Sequence, residues 1–472
     1  MLKSSVVADR DDGLVSSRAI EQMIERALCS PRASKSMMCL TLAAPLAPAE
    51  RLLWLPGYGN ALLWSTAADQ ELSGVGAARR LSGCGDSRFA DIREGAARLF
   101  QDLTVIALDG SPAPSPHLVG GFAFSPRPPR STLWQGFGAA LFVLPRLAYT
   151  RRADRAWLTL AADEQELSGA AGRTRLALEA HHALQLLGSA PPRSTPGRGA
   201  TSSGGDSMRL EESVQDWSTL VAGICAEIAA GRLEKAVAAR RVAVRAAGLP
   251  HAALVLERLR REAPACTRFA LAVGERMFLG ASPECLVRRA GPQVITEALA
   301  GSMPDIAGDS GQSLLRSEKE CAEHAVVARE IRTTLAPLCA RLSSDAPQPL
   351  RLRHVLHLRT RFLGILKQPR HVLDLVAALH PTPAVGGAPS SAALTWLEDH
   401  EHADRGFYAG PFGAFDSTGD GHFIVAIRSG LLDAEVAHLF AGAGIVAGSR
   451  PATEWDETGW KLRSLMAAIG VR

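Results

Sequence analysis

Apolar residues recur along this chain in two rhythms, and each rhythm predicts a different element. Between Glu212 and Ala230, Val214, Trp217, Leu220, Val221, Ile224 and Ile228 return every three or four positions. That is the spacing of a helix with one buried face, and Gly231 follows as a stop. The same rhythm predicts a long helix from about Gln312 to Leu335, with Pro337 just beyond it, and a last helix from about Thr453 to Ile469. Elsewhere the apolar runs are short and bounded by Gly, Pro or Asp, which predicts strands. In the first part of the chain these are LVGGFAFSP from Leu118, GAALFVLPRLAYT from Gly138 and AWLTLAA from Ala156. Later come EKAVAARRVAV from Glu234, RFALAV from Arg268, MFLGA from Met277, ECLVRR from Glu284, QVITEA from Gln293 and VAHLFAGAGIV from Val436. FGAFDSTGDGHFIVAIRS, from Phe412, reads as two strands joined by a Gly/Asp turn. Hairpin-like neighbours outnumber strand-helix alternation, so the expected fold is α+β, with mostly antiparallel sheets flanked by helices.

One stretch breaks both rhythms. SAPPRSTPGRGATSSGGDS, Ser189 to Ser207, is rich in Pro, Gly and Ser and nearly free of large apolar residues, so residues 189–207 are expected to be a linker or loop. It separates an N-terminal α+β region, residues 1–188, from a richer region, 208–472, expected to be catalytic and to share one fold with the first. Hydrophobic residues make up 47% of the 472, enough for a large core. Lys and Arg number 52 against 48 Asp and Glu, and no dense basic run could follow a phosphate backbone, so nucleic acid is not an expected partner. The eight cysteines are scattered without metal-ligand spacing, as suits reduced thiols in a cytoplasm. The N-terminal MLKSSVVADRDDG turns acidic where a signal peptide needs its apolar segment, and no apolar run approaches the roughly 18 residues of a membrane span. A cytoplasmic protein with no membrane partner is expected, and a monomer suffices.

Several polar residues sit where chemistry could use them. In a strand beginning at Glu234, Lys235 shares a face with Val237 and Ala239. If that face is buried, desolvation lowers the lysine pKa and yields a neutral amine able to act as a base; otherwise Lys235 snorkels to water from a strand end. Glu320 and Glu323 are three apart in one predicted helix, and Glu454 and Glu457 three apart in another, so each pair projects from one helical face. Such pairs serve either as a solvated surface or as an oxygen-rich site for a hard cation such as Mg²⁺. Gly442 and Gly444 in AGAGIV would let backbone N–H groups approach an anion, or mark a bulge or tight bend. Arg428 and Lys461 could clamp a carboxylate or remain surface cations, and His357 and His380 read first as hydrogen-bonded structural histidines.

These segments, taken in order, resemble the chorismate-utilising enzymes, the family of isochorismate, salicylate, anthranilate and aminodeoxychorismate synthases. The phrases that carry the resemblance are LEKAVAARR from Leu233, FLGASPECLVRR from Phe278, TEALAGS from Thr296, SEKECAEHAVV from Ser317 and LRHVLHLRT from Leu352. HPTPAVGGAP from His380, FYAGPFGAF from Phe407, VAIRS, LFAGAGIV and EWDETGWKL from Glu454 complete it. Similarity is looser before Ser189. By resemblance, Lys235 is the base that activates water and Glu284 the acid that protonates a departing ring hydroxyl. Glu323 and Glu457 match direct Mg²⁺ ligands, with Glu320 and Glu454 reaching the ion through water. Ala300, Gly301, Ser302, Tyr408, Arg428, Gly442, Gly444 and Lys461 match substrate-contacting positions, and His357 a polar residue beside the ring. Cys285, Cys321 and Met303 depart from the family wording without removing a functional group.

Two positions and one phrase choose among the branches. Aminodeoxychorismate synthases place a lysine where this chain has Ala300, and anthranilate synthases lack one at Lys235. Salicylate synthases share the lysine, the acid and the carboxylates but usually lack the HPTPAVGG wording. The resemblance thus implies a Mg²⁺-dependent isochorismate synthase, an isomerase that adds water at C2 of chorismate and expels the C4 hydroxyl, for menaquinone, siderophore or salicylate biosynthesis. The alternatives are a salicylate synthase that goes on to eliminate pyruvate and a catalytically silent chorismate-binding subunit.

Overall fold

Alternation along a single strand explains the layering of the molecule. In Met37–Ala43, Met37 and Cys39 point into one hydrophobic core, while Met38, Leu40 and Leu42 point into another. A strand buried on both faces must be apolar throughout rather than alternating, which is why this part of the chain reads as short continuous runs. The protein is described here from a computed structural model that covers residues 10–11, 14–29, 36–66, 70–189, 208–211, 213–245, 249–305, 311–402 and 404–471. The Pro/Gly/Ser-rich stretch predicted as a linker lies outside the described residues except for Ser189.

Seven elements position the site. They are β1 (Lys235–Arg245), β2 (Cys285–Ala290), β3 (Gln293–Pro304), α1 (Glu318–Leu335), β4 (Val355–Leu366), β5 (Val436–Ile445) and α2 (Pro451–Ile469). The larger sheet begins at Met208–Glu211 and runs through β1, β5, Ser429–Asp433, Arg276–Ser282 and Thr267–Val273. It continues into N-terminal strands, from Ala61–Ser65 through Gln70–Val75, Leu147–Arg152, Arg155–Asp163 and Met37–Ala43 to Leu103–Ala107. Only the last pairing among these is parallel. The smaller sheet runs from Cys339–Ser344 through β4, β3, β2, Gly421–Val425 and Pro411–Phe415 to the N-terminal strands Leu118–Phe122, Ala140–Leu144 and Arg79–Gly83. The predicted hairpin after Phe412 is present, its strands pairing from Pro411 with Val425 to Phe415 with Gly421.

The two sheets face each other across an aromatic core. Phe412 of the smaller sheet lies 4.9 Å from Phe269 and 6.2 Å from Trp64 of the larger, measured between ring centroids. On its opposite face the larger sheet is covered by Ser17–Leu28, Ala170–Gly188, Ala252–Glu262 and α2. Helix α1 packs on β3 and β4, burying Val327, Ile331 and Leu335. This is the α+β, largely antiparallel architecture the hydrophobic pattern predicts. No helix among the described residues is long and apolar enough to cross a membrane.

Two helix starts differ from the prediction. The helix expected from Gln312 to Leu335 is two, Gln312–Arg316 and α1, broken at an extended Ser317. Ser317 is the N-cap of α1, its hydroxyl accepting from the Glu320 N–H at 3.4 Å, an exchange that periodicity alone does not register. Helix α2 begins at Pro451 rather than Thr453, because the fixed φ of proline suits a first helical turn and its missing N–H costs nothing there. Ser317→Ala should lower stability by about 1 kcal/mol, the usual worth of such a cap, as read by urea unfolding. An unchanged midpoint would mean that the cap does not hold this turn.

Candidate active site

Lys235 is the first residue of β1 and has no exposed surface, so it does not snorkel to water. Its Nζ donates to Glu323 Oε1 at 2.8 Å. A buried amine needs a hydrogen-bonding partner, and α1 supplies a carboxylate from its second turn. Burial pushes the Glu323 carboxyl up, but Lys235, with Lys461 and Lys319, outweighs it and leaves Glu323 below the usual range. Room for this pair comes from β5, where Gly444 stands opposite Val237 in an unshifted register. A Cβ at Gly444 would lie 2.2 Å from Glu323 Oε1 and 2.9 Å from Lys235 Cε. The glycine is therefore neither bulge nor bend; it is the space the ion pair occupies.

Glu320, one turn earlier, faces β3. The ladder between β3 and β4 shifts register between Ala300 and Ser302, and Gly301 there has φ +76°. A Cβ on Gly301 would meet the Glu320 carbonyl oxygen at 2.9 Å, so the bulge presses directly on the helix. Turned this way, the Ser302 N–H donates to Glu320 Oε2 at 2.7 Å, and Ser302 Oγ lies 3.0 Å from His357 Nδ1. The other ring nitrogen, Nε2, is 2.8 Å from Arg428 Nη2. A guanidinium only donates, so Nε2 must accept and Nδ1 carries the proton, which Gly301 O can take at 3.2 Å. Burial, reinforced by Arg428 and Lys461, holds His357 well below its ordinary pKa, so the ring is neutral. Arg428 adopts φ +54° to make this contact.

Helix α2 brings the second carboxylate pair. Glu457 Oε1 accepts from Lys461 Nζ at 2.5 Å, and the same ammonium donates to Gly442 O at 2.9 Å. Glu454 Oε1 accepts from Lys319 at 2.8 Å, and Lys319 is 3.5 Å from Glu320 Oε1. Lys319 was not singled out in the sequence, although it lies beside Glu320 in SEKECAEH; helical spacing gives no sign that it turns back toward another helix. Burial and then Glu323 raise the Glu320 carboxyl, and burial and then Glu457 raise that of Glu454.

The four carboxylates suit a hard divalent cation in kind, being oxygen donors, largely buried and mutually repelling. Glu454 Oε2 is buried, and the Ser449 hydroxyl beside this carboxyl offsets part of its upward push. As they stand, each carboxylate is answered by a lysine, and no three His, Cys, Asp or Glu side chains among the described residues are gathered around one point. A cation held here would take the place of the ammonium groups.

Glu284 sits between Arg276–Ser282 and β2, its N–H on Ser282 Oγ, whose proton goes to Val425 O. It is 2% exposed, and burial, opposed by the nearby Lys235, pushes its carboxyl up to about 8. Tyr408 stacks on Phe440 and would be 3.2 Å, through its hydroxyl, from a Cβ at Gly442. A cavity of about 380 Å³ has Arg428 and Lys461 in its wall, with Arg353 and Trp460; its lining includes neither Lys235 nor Glu284. His380 lies apart from this group, bonded through Nε2 to Phe124 O, and is structural.

The chain matches the model of the chorismate binding enzyme family over residues 22–470. It is 40% identical over 405 residues to a salicylate biosynthesis isochorismate synthase of Pseudomonas aeruginosa, covering 84% of this chain and 82% of that one. With the isochorismate synthase MenF of Bacillus subtilis it shares 32% identity over 364 residues, 76% and 75% of the two chains. Among solved structures, the menaquinone-specific isochorismate synthase MenF from Escherichia coli superposes with a TM-score of 0.75 at 27% identity, covering 95% of this chain and 99% of that one.

The raised carboxyl of Glu284 makes stability depend on pH in a defined direction. A carboxyl that binds its proton more tightly when folded contributes stability below its unfolded pKa, near 4.5, and that contribution is lost as pH rises through about 8. Glu284→Gln, which cannot ionise, should therefore melt progressively higher relative to the unmodified protein between pH 5 and 8, with a constant gap above. A gap independent of pH would show that Glu284 is already ionised in the fold.

Proposed function

The chain belongs to the chorismate-binding enzyme family, and we propose that it is an isochorismate synthase, a hydroxymutase that interconverts chorismate and isochorismate. The observation that carries this reading is a fully buried lysine, Lys235, in the same electrostatic environment as a carboxylic acid, Glu284, that keeps its proton near neutral pH. A water molecule attacking C2 of the ring would lose its proton to Lys235 in its neutral form, released from the pairing with Glu323, while Glu284 protonates the hydroxyl leaving C4. The ring double bonds shift between these carbons, one water enters and one leaves, and the net change is an isomerisation. Acid and base of this kind are needed together, since hydroxide is a poor leaving group unless protonated as it departs.

The remaining residues bind and orient. Arg428, held by neutral His357, and Lys461 border the cavity and would meet the substrate carboxylates as they arrive. Tyr408, Gly442 and Gly444 would line the ring's side of the site, and the bulge at Ala300, Gly301 and Ser302 its far end. Glu323 and Glu457 would hold Mg²⁺ directly and Glu320 and Glu454 through water; the ion, when bound, would neutralise a substrate carboxylate next to the reacting ring. The HPTPAVGG wording that sets this chain apart from salicylate synthases supports the strand of Lys235, since Val237 N–H donates to Gly386 O and Gly387 pairs with Ala236. Eight free thiols suit a cytoplasmic enzyme, which would work as a monomer on chorismate alone. Its product is the precursor that menaquinone, siderophore and salicylate routes share.

Purified protein with chorismate and Mg²⁺ should yield isochorismate and settle to a mixture of the two, as chromatography would reveal. Salicylate with stoichiometric pyruvate as the early products would instead make it a salicylate synthase, and no conversion would make it a silent subunit. Two variants separate the amine from its partner. Lys235→Ala should cut turnover by at least the roughly 10²-fold of a positioned base while Mg²⁺ still binds in calorimetry. Glu323→Gln should lose Mg²⁺ binding as well as turnover, and should also lower the melting temperature by leaving the buried Lys235 amine without its anion. Equal Mg²⁺ affinity in both would remove Glu323 from the metal site.

A further inference from the structure

The strand that carries Lys235 is incompletely paired. On one edge β5 runs alongside β1 from Ala236 to Arg245. On the other, Gly387–Ala388 covers Lys235 and Ala236, and Met208–Glu211 covers Val242 to Arg245. Among the described residues, no strand pairs with this edge from Val237 to Arg241. The Val237 N–H is met by Gly386 O at 2.9 Å, but the Val237 carbonyl and the Ala239 N–H, both at buried residues, need partners from elsewhere.

Two side chains supply them. Arg405 Nη2 donates to Val237 O at 2.6 Å, and the Ala239 N–H donates to Glu401 Oε1 at 2.7 Å. The two are locked to each other, with Arg405 Nε on Glu401 Oε2 at 2.7 Å and Nη2 on Oε1 at 2.9 Å, and both are nearly wholly buried. Arg405 Nη1 reaches Val385 O at 2.7 Å, in the segment after His380, and the guanidinium lies 4.2 Å from the centre of the Phe124 ring. The Arg405 carbonyl accepts from Tyr408 N–H at 2.8 Å. One planar fork thus joins β1, the 380–388 segment and the loop that presents Tyr408.

We propose that Arg405 and Glu401 are positioning residues for the isomerisation, standing in for a missing strand so that β1 holds the Lys235 amine at a fixed place in the site. The inference rests on the isochorismate synthase reading for its catalytic consequence. Lys235 begins β1 two residues before the first bond of the clamp, and a displacement of about 1 Å at a reacting group can cost roughly 10²-fold in rate. The role calls for arginine, since a lysine keeps the charge opposite Glu401 but cannot reach Val237, Val385 and Glu401 in one plane.

Arg405→Lys tests this by kinetics and by hydrogen exchange of the peptide from Lys235 to Arg245. With circular dichroism unchanged, kcat should fall at least about tenfold, KM for chorismate should stay within about threefold, and exchange in the peptide should quicken. An unchanged kcat overturns the proposal, as does a fall in kcat matched by the fraction of molecules that no longer bind Mg²⁺ and chorismate. If Arg405→Lys does not fold, Glu401→Gln, of the same shape, is judged by the same three measurements. An unmodified protein that makes no isochorismate refutes the function and with it the catalytic role, whereas unaltered exchange in an active enzyme's variants refutes the clamp alone.

Discussion

An amine sealed from water needs an anion within hydrogen-bond reach, and that requirement at Lys235 orders much of what surrounds it. Glu323 must lie over β1, so α1 must enter at a set height, and the Ser317 cap starts it there. The space above β5 must be empty, so residue 444 has no side chain. With α1 fixed, Glu320 meets the bulge of β3, and through Ser302 and His357 the chain of contacts reaches Arg428. A contact between one strand and one helix thereby sets the placement of residues from β3, β4 and the loop before Ser429.

Charge is distributed with the same economy. Glu320, Glu323, Glu454 and Glu457 would repel one another if left alone, and Lys235, Lys319 and Lys461 interleave with them. Burial makes each contact stronger and each unmatched oxygen more costly. Glu284 stands outside these pairings. Its proton, rather than a partner, makes its burial tolerable, and this separates it from the four lysine-paired carboxylates although all five are the same functional group.

Much of this was legible in the sequence where it depends on local spacing. The same-face pairs Glu320/Glu323 and Glu454/Glu457, the apolar neighbours of Lys235, and the strands bounded by Gly and Pro all follow from periods of two and of three to four. Contacts between distant segments left no such trace. The break at Ser317 is a hydroxyl taking over one backbone N–H, and Lys319 turns from α1 to an acid on α2. Gly444 announced an open space without saying that another side chain fills it. Arg405 and Glu401 carry no local sign of their role, because the strand they bond to is far away in the chain.

The sheet order has a consequence for synthesis. Leu118–Phe122 lies beside Pro411–Phe415, and Ala61–Ser65 beside Thr267–Val273, so the N-terminal strands find their neighbours only after most of the chain exists. At ribosomal speeds the wait is on the order of tens of seconds, far longer than a hairpin needs to form. During that interval the growing polypeptide exposes apolar edges with nothing to pair with. Escorting chaperones would shield these edges until their partner strands emerge.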